Sequence, residues 1–282
     1  MITDNVSARA TAVDADRIEA RAWTDWFAAM PADLRMEFGI QVKSVADATL
    51  LLAPRLPSTL FNRAIGLGVT RPTTADDLDK VVKMFLDAGC AAFAVAWSQY
   101  SEPADLTGRL DAIFPSTAPR PRWAKMLRGT APSPAAPSDL RIVPVDRSMA
   151  GETGRSIAQA YGMPAMAGAV GALFWRPRWL LYAALERDAV VGGGALFLDG
   201  DDAWLGMGAM LPDYRRHGGH RALMAQRIRD ALAAGATRIF SETGEPQEQG
   251  ANPSLNNMER CGFGKVATRI SFVGSPATTA AF

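Results

Sequence analysis

Apolar residues along the chain repeat with two periods, and the alternation between those periods lays out the elements. Met224, Ile228, Ala231 and Gly235 keep the three-to-four spacing of one helix face, which predicts a helix over 220–234 with Gly235 as its stop. Ahead of it an apolar run over 202–211 ends at Pro212, and behind it another covers 237–241; both read as strands. Strands are also predicted over 141–145, 179–186 and 190–198, with Arg187 and Asp188 forming a tight hairpin between the last two. Helices are expected over 149–161 and 163–175, the second closed by Pro177. Asn252 then Pro253 has the form of an N-cap and first helical position, so 253–261 reads as a short helix before a final strand over 263–272.

The earlier part of the chain repeats this order. A helix over 11–30 is followed by a strand over 59–68 and a helix over 74–88, where Thr74 with Asp77 three residues on resembles a capping box. Then come a strand over 90–98, a helix over 103–114 and a strand over 122–127. Between the halves, 129–138 reads GTAPSPAAPS, with no apolar period and several prolines, an extended linker. Each half therefore carries strand–helix–strand–helix–strand, the pattern of an internal duplication, although any α/β protein could show it.

Composition narrows the classes. The chain has 282 residues, 48% hydrophobic and 21% charged, so a packed core is expected. A net charge of +1 gives no electrostatic reason for nucleic acid or an anionic membrane as partner. Cys90 and Cys261 stand far apart without a Cys/His cluster, so they are expected to be packed thiols, and no metal site is expected. Asp4, Asp14, Asp16 and Arg17 do not look like the start of a secretory signal. No apolar run approaches the roughly 20 residues of a membrane span, and the expected location is cytoplasmic.

The segment with chemical content is AWLGMGAMLPDYRRHGGHRAL, from Ala203 to Leu223: an apolar strand, a basic glycine-containing turn, then a helix. A helix start carries unpaired N–H groups and the positive end of the macrodipole. Gly218 and Gly219 let backbone approach an anion, and Arg215, Arg216 and Arg221 add guanidinium groups suited to phosphate. Together these make a diphosphate site, with an ordinary basic, solvated helix start as the plainer alternative. Both histidines of the chain, His217 and His220, fall here, either as exposed loop residues or as phosphate donors.

This segment resembles motif A of the GNAT (GCN5-related N-acetyltransferase) superfamily, Arg/Gln-x-x-Gly-x-Gly/Ala between a strand and a helix. Arg215, Gly218 and His220 take the pattern positions, with His220 replacing the final small residue, where its side chain could point outward at a helix start. NPSLNNMERCGF, from Asn252 to Phe263, is similar to the second CoA-side motif. The resemblance implies an α/β fold of two GNAT-like domains, each a mixed central β-sheet flanked by helices, with a V-shaped splay between central strands of the C-terminal domain. The division would be 1–128 as a degenerate N-terminal domain, 129–139 as linker, 140–273 as the acyl-CoA domain and 274–282 as a flexible tail. In the first half VTRPTT stands where the loop would be, so no second CoA site is expected there.

The same resemblance implies acetyl-CoA, or another acyl-CoA, as co-substrate and a small-molecule amine as acceptor, with a homodimer possible. Backbone at Met207, Ala209, Met210 and Leu211 would pair with the pantetheine arm and polarise the thioester carbonyl. Arg215 and the amides of Arg216, His217, Gly218, Gly219, His220 and Arg221 would hold the pyrophosphate, and Ser254 and Asn257 would meet the arm. A Tyr that often serves as thiolate acid in the family is Met258 here. Glu242 is the candidate base, with a solvated carboxylate as the plainer alternative; Glu245 and Tyr214 come after it, and Cys261 as a nucleophile last. The segment 149–175 would flank the acceptor, where Met163, Met166, Leu173, Phe174 and Trp175 form an apolar wall or simply pack. A non-catalytic CoA-binding regulatory or interaction protein is the competing reading.

Overall fold

The computed structural model describes residues 2–246 and 252–279. The first half holds α1 (Ile2–Ala29), α2 (Ala32–Phe38), β1 (Gln41–Val45), β2 (Ala48–Leu52), β3 (Arg63–Ile65), α3 (Ala75–Asp87), β4 (Phe93–Ser98), α4 (Leu106–Ile113) and β5 (Arg122–Arg128). The second holds β6 (Arg141–Pro144), α5 (Ala150–Ala160), α6 (Ala167–Gly171), β7 (Trp179–Glu186), β8 (Ala189–Asp199), β9 (Asp202–Met210), α7 (Gly219–Ala233), β10 (Arg238–Gly244), α8 (Pro253–Arg260) and β11 (Gly264–Gly274). The local signals act where they were read. Thr74 Oγ1 accepts from the Asp77 N–H at 3.1 Å while Asp77 accepts from the Thr74 N–H at 3.0 Å, closing the capping box. Asn252 Oδ1 caps α8 by accepting from the N–H groups of Ser254 and Leu255.

Three expectations change. The strand expected over 59–68 is only Arg63–Ile65, and the hairpin of β1 and β2, turning at Ala46 with φ +56°, supplies two strands ahead of it. The helix expected over 163–175 is a five-residue α6 between two 3-10 turns. Gly154 and Gly171 let these segments cross almost backbone to backbone: a Cβ on Gly154 would sit 2.4 Å from the Ala167 carbonyl oxygen. At the C-terminal end, β11 runs through Gly274, and Thr279 is buried with its hydroxyl donating to the Ser275 carbonyl; residues 280–282 lie outside the described part.

All eleven strands form one sheet in the order β1-β2-β3-β4-β11-β5-β10-β9-β8-β7-β6. Among the described strands, only β3–β4 and β9–β10 are parallel. The linker separates the halves along the chain, but the sheet does not part there. Strand β5 lies between β10 and β11, and β11 lies between β5 and β4, so each half lends its last strand to the other. The order from β1 to β7 also reads the same from both ends when β1–β5 are exchanged for β7–β11. A pseudo-twofold axis therefore passes between β5 and β11, the geometry expected of a duplicated unit.

Helix α1 crosses this seam. Trp23, Trp26 and Phe27 pack on Phe61, and a buried ionic cluster lies beside them. Glu19 of α1 is 0% exposed and takes Lys125 of β5 at 2.6 Å, Arg63 of β3 at 2.7 Å and Arg269 of β11. Asp16 and Glu242 complete a set of three acids and three cations drawn from five elements.

Candidate functional site

The site begins where two parallel strands separate. Strands β9 and β10 pair from Asp202↔Arg238 to Leu205↔Ser241 and then part: β9 continues to Met210 beside β8, β10 continues to Gly244 beside β5. A bulge helps β9 turn away, since between the pairs Gly193↔Ala209 and Ala195↔Gly206 the β9 side holds one residue more. Met207 in this bulge has φ +56°. The resulting cleft has a volume of about 930 Å³ and reaches from the start of α7 to the aromatic residues of α1.

At the mouth, β9 gives way to a 3-10 turn over Pro212–Tyr214 and then to the glycine loop. Arg216 at φ +70° and Gly218 at φ +75° bring the chain into α7. The first helical bond is Ala222 N–H to Gly218 O at 3.0 Å, so the N–H groups of Gly219, His220 and Arg221 lie ahead of it without helical partners. Arg221 Nε is buried with no partner among the described residues. The residues fit a diphosphate. Arg215 is partly committed: its Nε donates to Met210 O at 3.2 Å. Arg216 and His217 are exposed. The linker packs over this turn, because Ser138 Oγ donates to His217 O and a Cβ on Gly218 would sit 2.7 Å from Pro137 O.

His220 corrects an expectation. Its ring turns inward beneath β9, where the missing side chain of Gly208 leaves room. The Asn257 amide donates to Nδ1 at 3.3 Å, so Nε2 carries the proton and donates to the Gly208 carbonyl. Burial and then the charge of Arg227 hold its pKa at about 4. His220 is thus a neutral link between α7, α8 and β9. Asn257 and Ser254 both line the cleft, with the Asn257 amide turned toward His220. Met207, Ala209 and Met210 line it from β9, whereas Leu211, the next residue, is not part of its lining.

The candidate base Glu242 reaches the cleft wall within the ionic cluster. Its Oε2 accepts from Lys125 Nζ at 3.1 Å and Arg269 Nη2 at 2.8 Å, and Oε1 lies 4.0 Å from Arg63 Nη1. Glu245 is engaged by Arg122, Lys265 and Thr268. The Tyr214 hydroxyl is pushed up in pKa by the charge of Glu186. Met258 and Cys261 are buried in the core under α8, and burial raises the Cys261 thiol. Three contributors were not read from sequence. Tyr161, closing α5, donates from its hydroxyl to Gly208 O at 3.2 Å across the cleft mouth. Arg227 lies under the splay. Trp23, Trp26 and Phe61 bring the first half into the cavity. The aromatic run of 23–27 carried a signal, since tryptophans on a helix face need a large partner surface. Nothing local marks Arg227.

The sequence model of the Acetyltransferase (GNAT) family matches residues 155–263. Those residues form a GNAT-family domain. Among solved structures, a GCN5-related N-acetyltransferase from Kribbella flavida is similar over 93% of this chain and 95% of its own, with TM-score 0.62 and 16% identity. A tandem GNAT protein of the clavulanic acid biosynthesis pathway covers 89% and 93%, with TM-score 0.59 and 12% identity. A GCN5-related N-acetyltransferase from Sphaerobacter thermophilus covers 81% and 80%, with TM-score 0.58 and 14% identity. At such identities the likeness is one of fold. No curated protein matches the chain.

The fold is mixed α/β with helices on the sheet, as in the tandem GNAT structure. In the first half, the turn ahead of α3 is held by the protein's own side chains. Asp47 accepts from the N–H groups of Gly68, Thr70 and Arg71 and from the Thr70 hydroxyl, and the start of α3 is closed by the capping box, where Thr74 Oγ1 accepts from the Asp77 N–H. Among the described residues no helix is long and apolar enough to cross a membrane, and no group of acids, cysteines and histidines could hold a metal.

Proposed function

We propose that the protein transfers a short acyl group from acyl-CoA, with acetyl-CoA as the simplest donor, to the amine of a small-molecule acceptor. The observation that carries this reading is the free helix start at Gly219–Arg221 opening onto the splay of β9 and β10. The diphosphate would rest on the amides of Arg216–Arg221, and the pantetheine arm would pair with β9 at Met207–Leu211, beside Ser254 and Asn257. A backbone N–H in the bulged stretch of β9 would polarise the thioester carbonyl.

The acceptor enters from the opposite face, where Trp23, Trp26, Phe61, Met163, Met166 and Trp204 line the cavity. The indole N–H groups of Trp23 and Trp204 are buried without partners among the described residues, which suits an apolar amine carrying an oxygen acceptor. Its nitrogen attacks the carbonyl carbon, a C–N bond forms and the C–S bond breaks. Glu242 Oε1 receives the amine proton, and Tyr161 supplies one to the departing thiolate. A phenol is protonated at neutral pH, so the hydroxyl can give its proton to the forming thiolate.

Met258 in place of a proton donor favours a second reading, CoA binding without transfer. Thiol release from acetyl-CoA across an amine library, alongside calorimetry of acetyl-CoA, separates the two. Turnover that falls with Glu242→Gln supports transfer. Binding without turnover on any amine supports the second reading, and absence of binding removes both.

A further inference from the structure

Arg227 sits in the third turn of α7, 2% exposed, directly under the splay. It is held with care. Nε donates to Leu223 O at 3.1 Å, and Nη1 donates to Ala195 O at 3.1 Å and Gly206 O at 2.9 Å, the two carbonyls beside the bulge. Two glycines make its space: a Cβ on Gly194 would sit 2.9 Å from Cζ and Nη1, and one on Gly208 would sit 2.8 Å from Nη2. Those contacts account for Nε and Nη1. Among the described residues Nη2 has no acceptor and no carboxylate meets the charge.

The other buried cations are treated differently. Lys125, Arg63 and Arg269 all meet Glu19 and Glu242. Arg128 also lacks a carboxylate, but its Nε, Nη1 and Nη2 all donate to carbonyls. Arg227 alone of this group meets no carboxylate within 4.0 Å among the described residues and keeps a free nitrogen on the cavity wall. Asp230, one turn on in α7, accepts instead from Tyr182 and Gln226. Burial pushes the Arg227 pKa down to about 10, so the group remains a cation at neutral pH. A desolvated guanidinium without a counter-ion is costly, and its natural complement is a carboxylate from a ligand.

Position says which part of the ligand. Arg227 lies eight residues beyond Gly219, about 12 Å along the helix at 1.5 Å per residue, too far to share the diphosphate. It stands on the face of the sheet covered by α7 with Leu205, Met224 and Ile228, whereas Trp23, Trp26 and Trp204 belong to the cluster on the other face. A group reaching Nη2 therefore comes down the splay from the CoA side, as the acyl end would. We propose that Arg227 recognises the distal carboxylate of the acyl group, so that the preferred donor is a short dicarboxylyl-CoA such as succinyl-CoA. This rests on the reading of the cleft as an acyl-CoA site.

Calorimetry with succinyl-CoA, butyryl-CoA and CoA tests it without an acceptor, since the two thioesters match in carbon count and differ in the carboxylate. Wild-type protein should bind succinyl-CoA about 30-fold or more tighter than butyryl-CoA. Arg227→Met should bring the two within about threefold of each other while leaving CoA affinity unchanged, and Arg227→Lys should keep part of the preference. Equal affinities in the wild type overturn the proposal even if Arg227→Met fails to fold. So does an Arg227→Met protein that weakens all three ligands alike, which would mark Arg227 as a support for the bulge. If butyryl-CoA and CoA bind and only the preference is missing, the acyl-CoA reading stands; if none binds, both fall.

Discussion

Replacing Glu19 by Ala should destabilise the fold more than any other single change in the seam. The carboxylate is fully buried and serves three cations, Lys125 at 2.6 Å, Arg63 at 2.7 Å and Arg269, whose side chains are no more than 5% exposed. Removing one member of a buried ion pair costs about 3–5 kcal/mol, chiefly because the partner is left charged and dry. With three partners affected, the upper end of that range applies. For a chain of this size about 2–4 °C is lost per kcal/mol, so the melting temperature should fall by roughly 10 °C or more. Thermal unfolding followed by circular dichroism at pH 7 reads this directly, and Glu19→Gln should lose nearly as much because the charge goes with it. The pH dependence has a definite sign. Burial acts to raise the Glu19 pKa, but Arg269, Lys125 and Arg63 outweigh it and hold the folded value well below the ordinary one. Its contribution is therefore complete above the unfolded pKa of about 4.3 and lost as pH falls through the lower folded value. Asp16 goes the other way, since burial outweighs Lys125 and Arg269 and raises its pKa; Asp16→Asn should leave the melting temperature at pH 7 unchanged or higher. A Glu19→Ala protein melting within about 2 °C of wild type would refute the reasoning.

Gly218→Ala must place a Cβ at φ +75° and 2.7 Å from Pro137 O, so it should cost about 1–3 kcal/mol and weaken acetyl-CoA at least tenfold by calorimetry; unchanged affinity would show that the loop is not the diphosphate site. His220 has its folded pKa, about 4, below the ordinary 6.5, so its neutral form stabilises the fold above pH 6.5 and up to about 3 kcal/mol is lost as pH falls from there through 4. His220→Gln should flatten that limb in denaturant titrations at pH 4 to 7, and an unchanged limb would count against the assignment. Tyr161→Phe should lower kcat about 10- to 100-fold on any accepted amine with little change in acetyl-CoA affinity, and an unaltered kcat would remove it from the proton path. A chain beginning at Ser138 lacks α1 and β5, so β10 and β11 lose the strand between them; it should fail to fold by near-UV circular dichroism, and a folded, CoA-binding product would refute that dependence.

The elements legible from the sequence were those with their own punctuation. Thr74 with Asp77, Asn252 with Pro253 and the Arg187–Asp188 hairpin fix their ends through local hydrogen bonds and turn geometry, so each could be read without knowing its neighbours. The 163–175 segment was misread because its shape depends on a neighbour: Gly154 and Gly171 bring backbones within contact, and short 3-10 turns follow from that crossing. Strands β1 and β2 were missed for a related reason, since their residues earn strand conformation only by adding to the edge beside β3. The exchange of β5 and β11 is invisible in any local pattern, because a strand's period says which face is buried and nothing about which strand lies alongside.

The site divides along the same line. The diphosphate loop is one contiguous segment whose function lies in its own amides, so Arg215–Arg221 announced themselves. The groups that would choose a donor and an acceptor come from places remote in sequence. Arg227 gains meaning only from Gly194 and Gly208 on two strands above it, and from the absence of a neighbouring acid among the described residues. The acceptor wall takes Trp23 and Trp26 from a helix that belongs, along the chain, to the half without a CoA loop. That half reaches the second cleft because the ionic cluster at Glu19 pins α1 across the exchanged strands. The same contacts that make Glu19 costly to remove therefore set the position of the acceptor wall. The unit without the basic glycine loop thus has a role in the proposed chemistry as the other unit's substrate-facing surface.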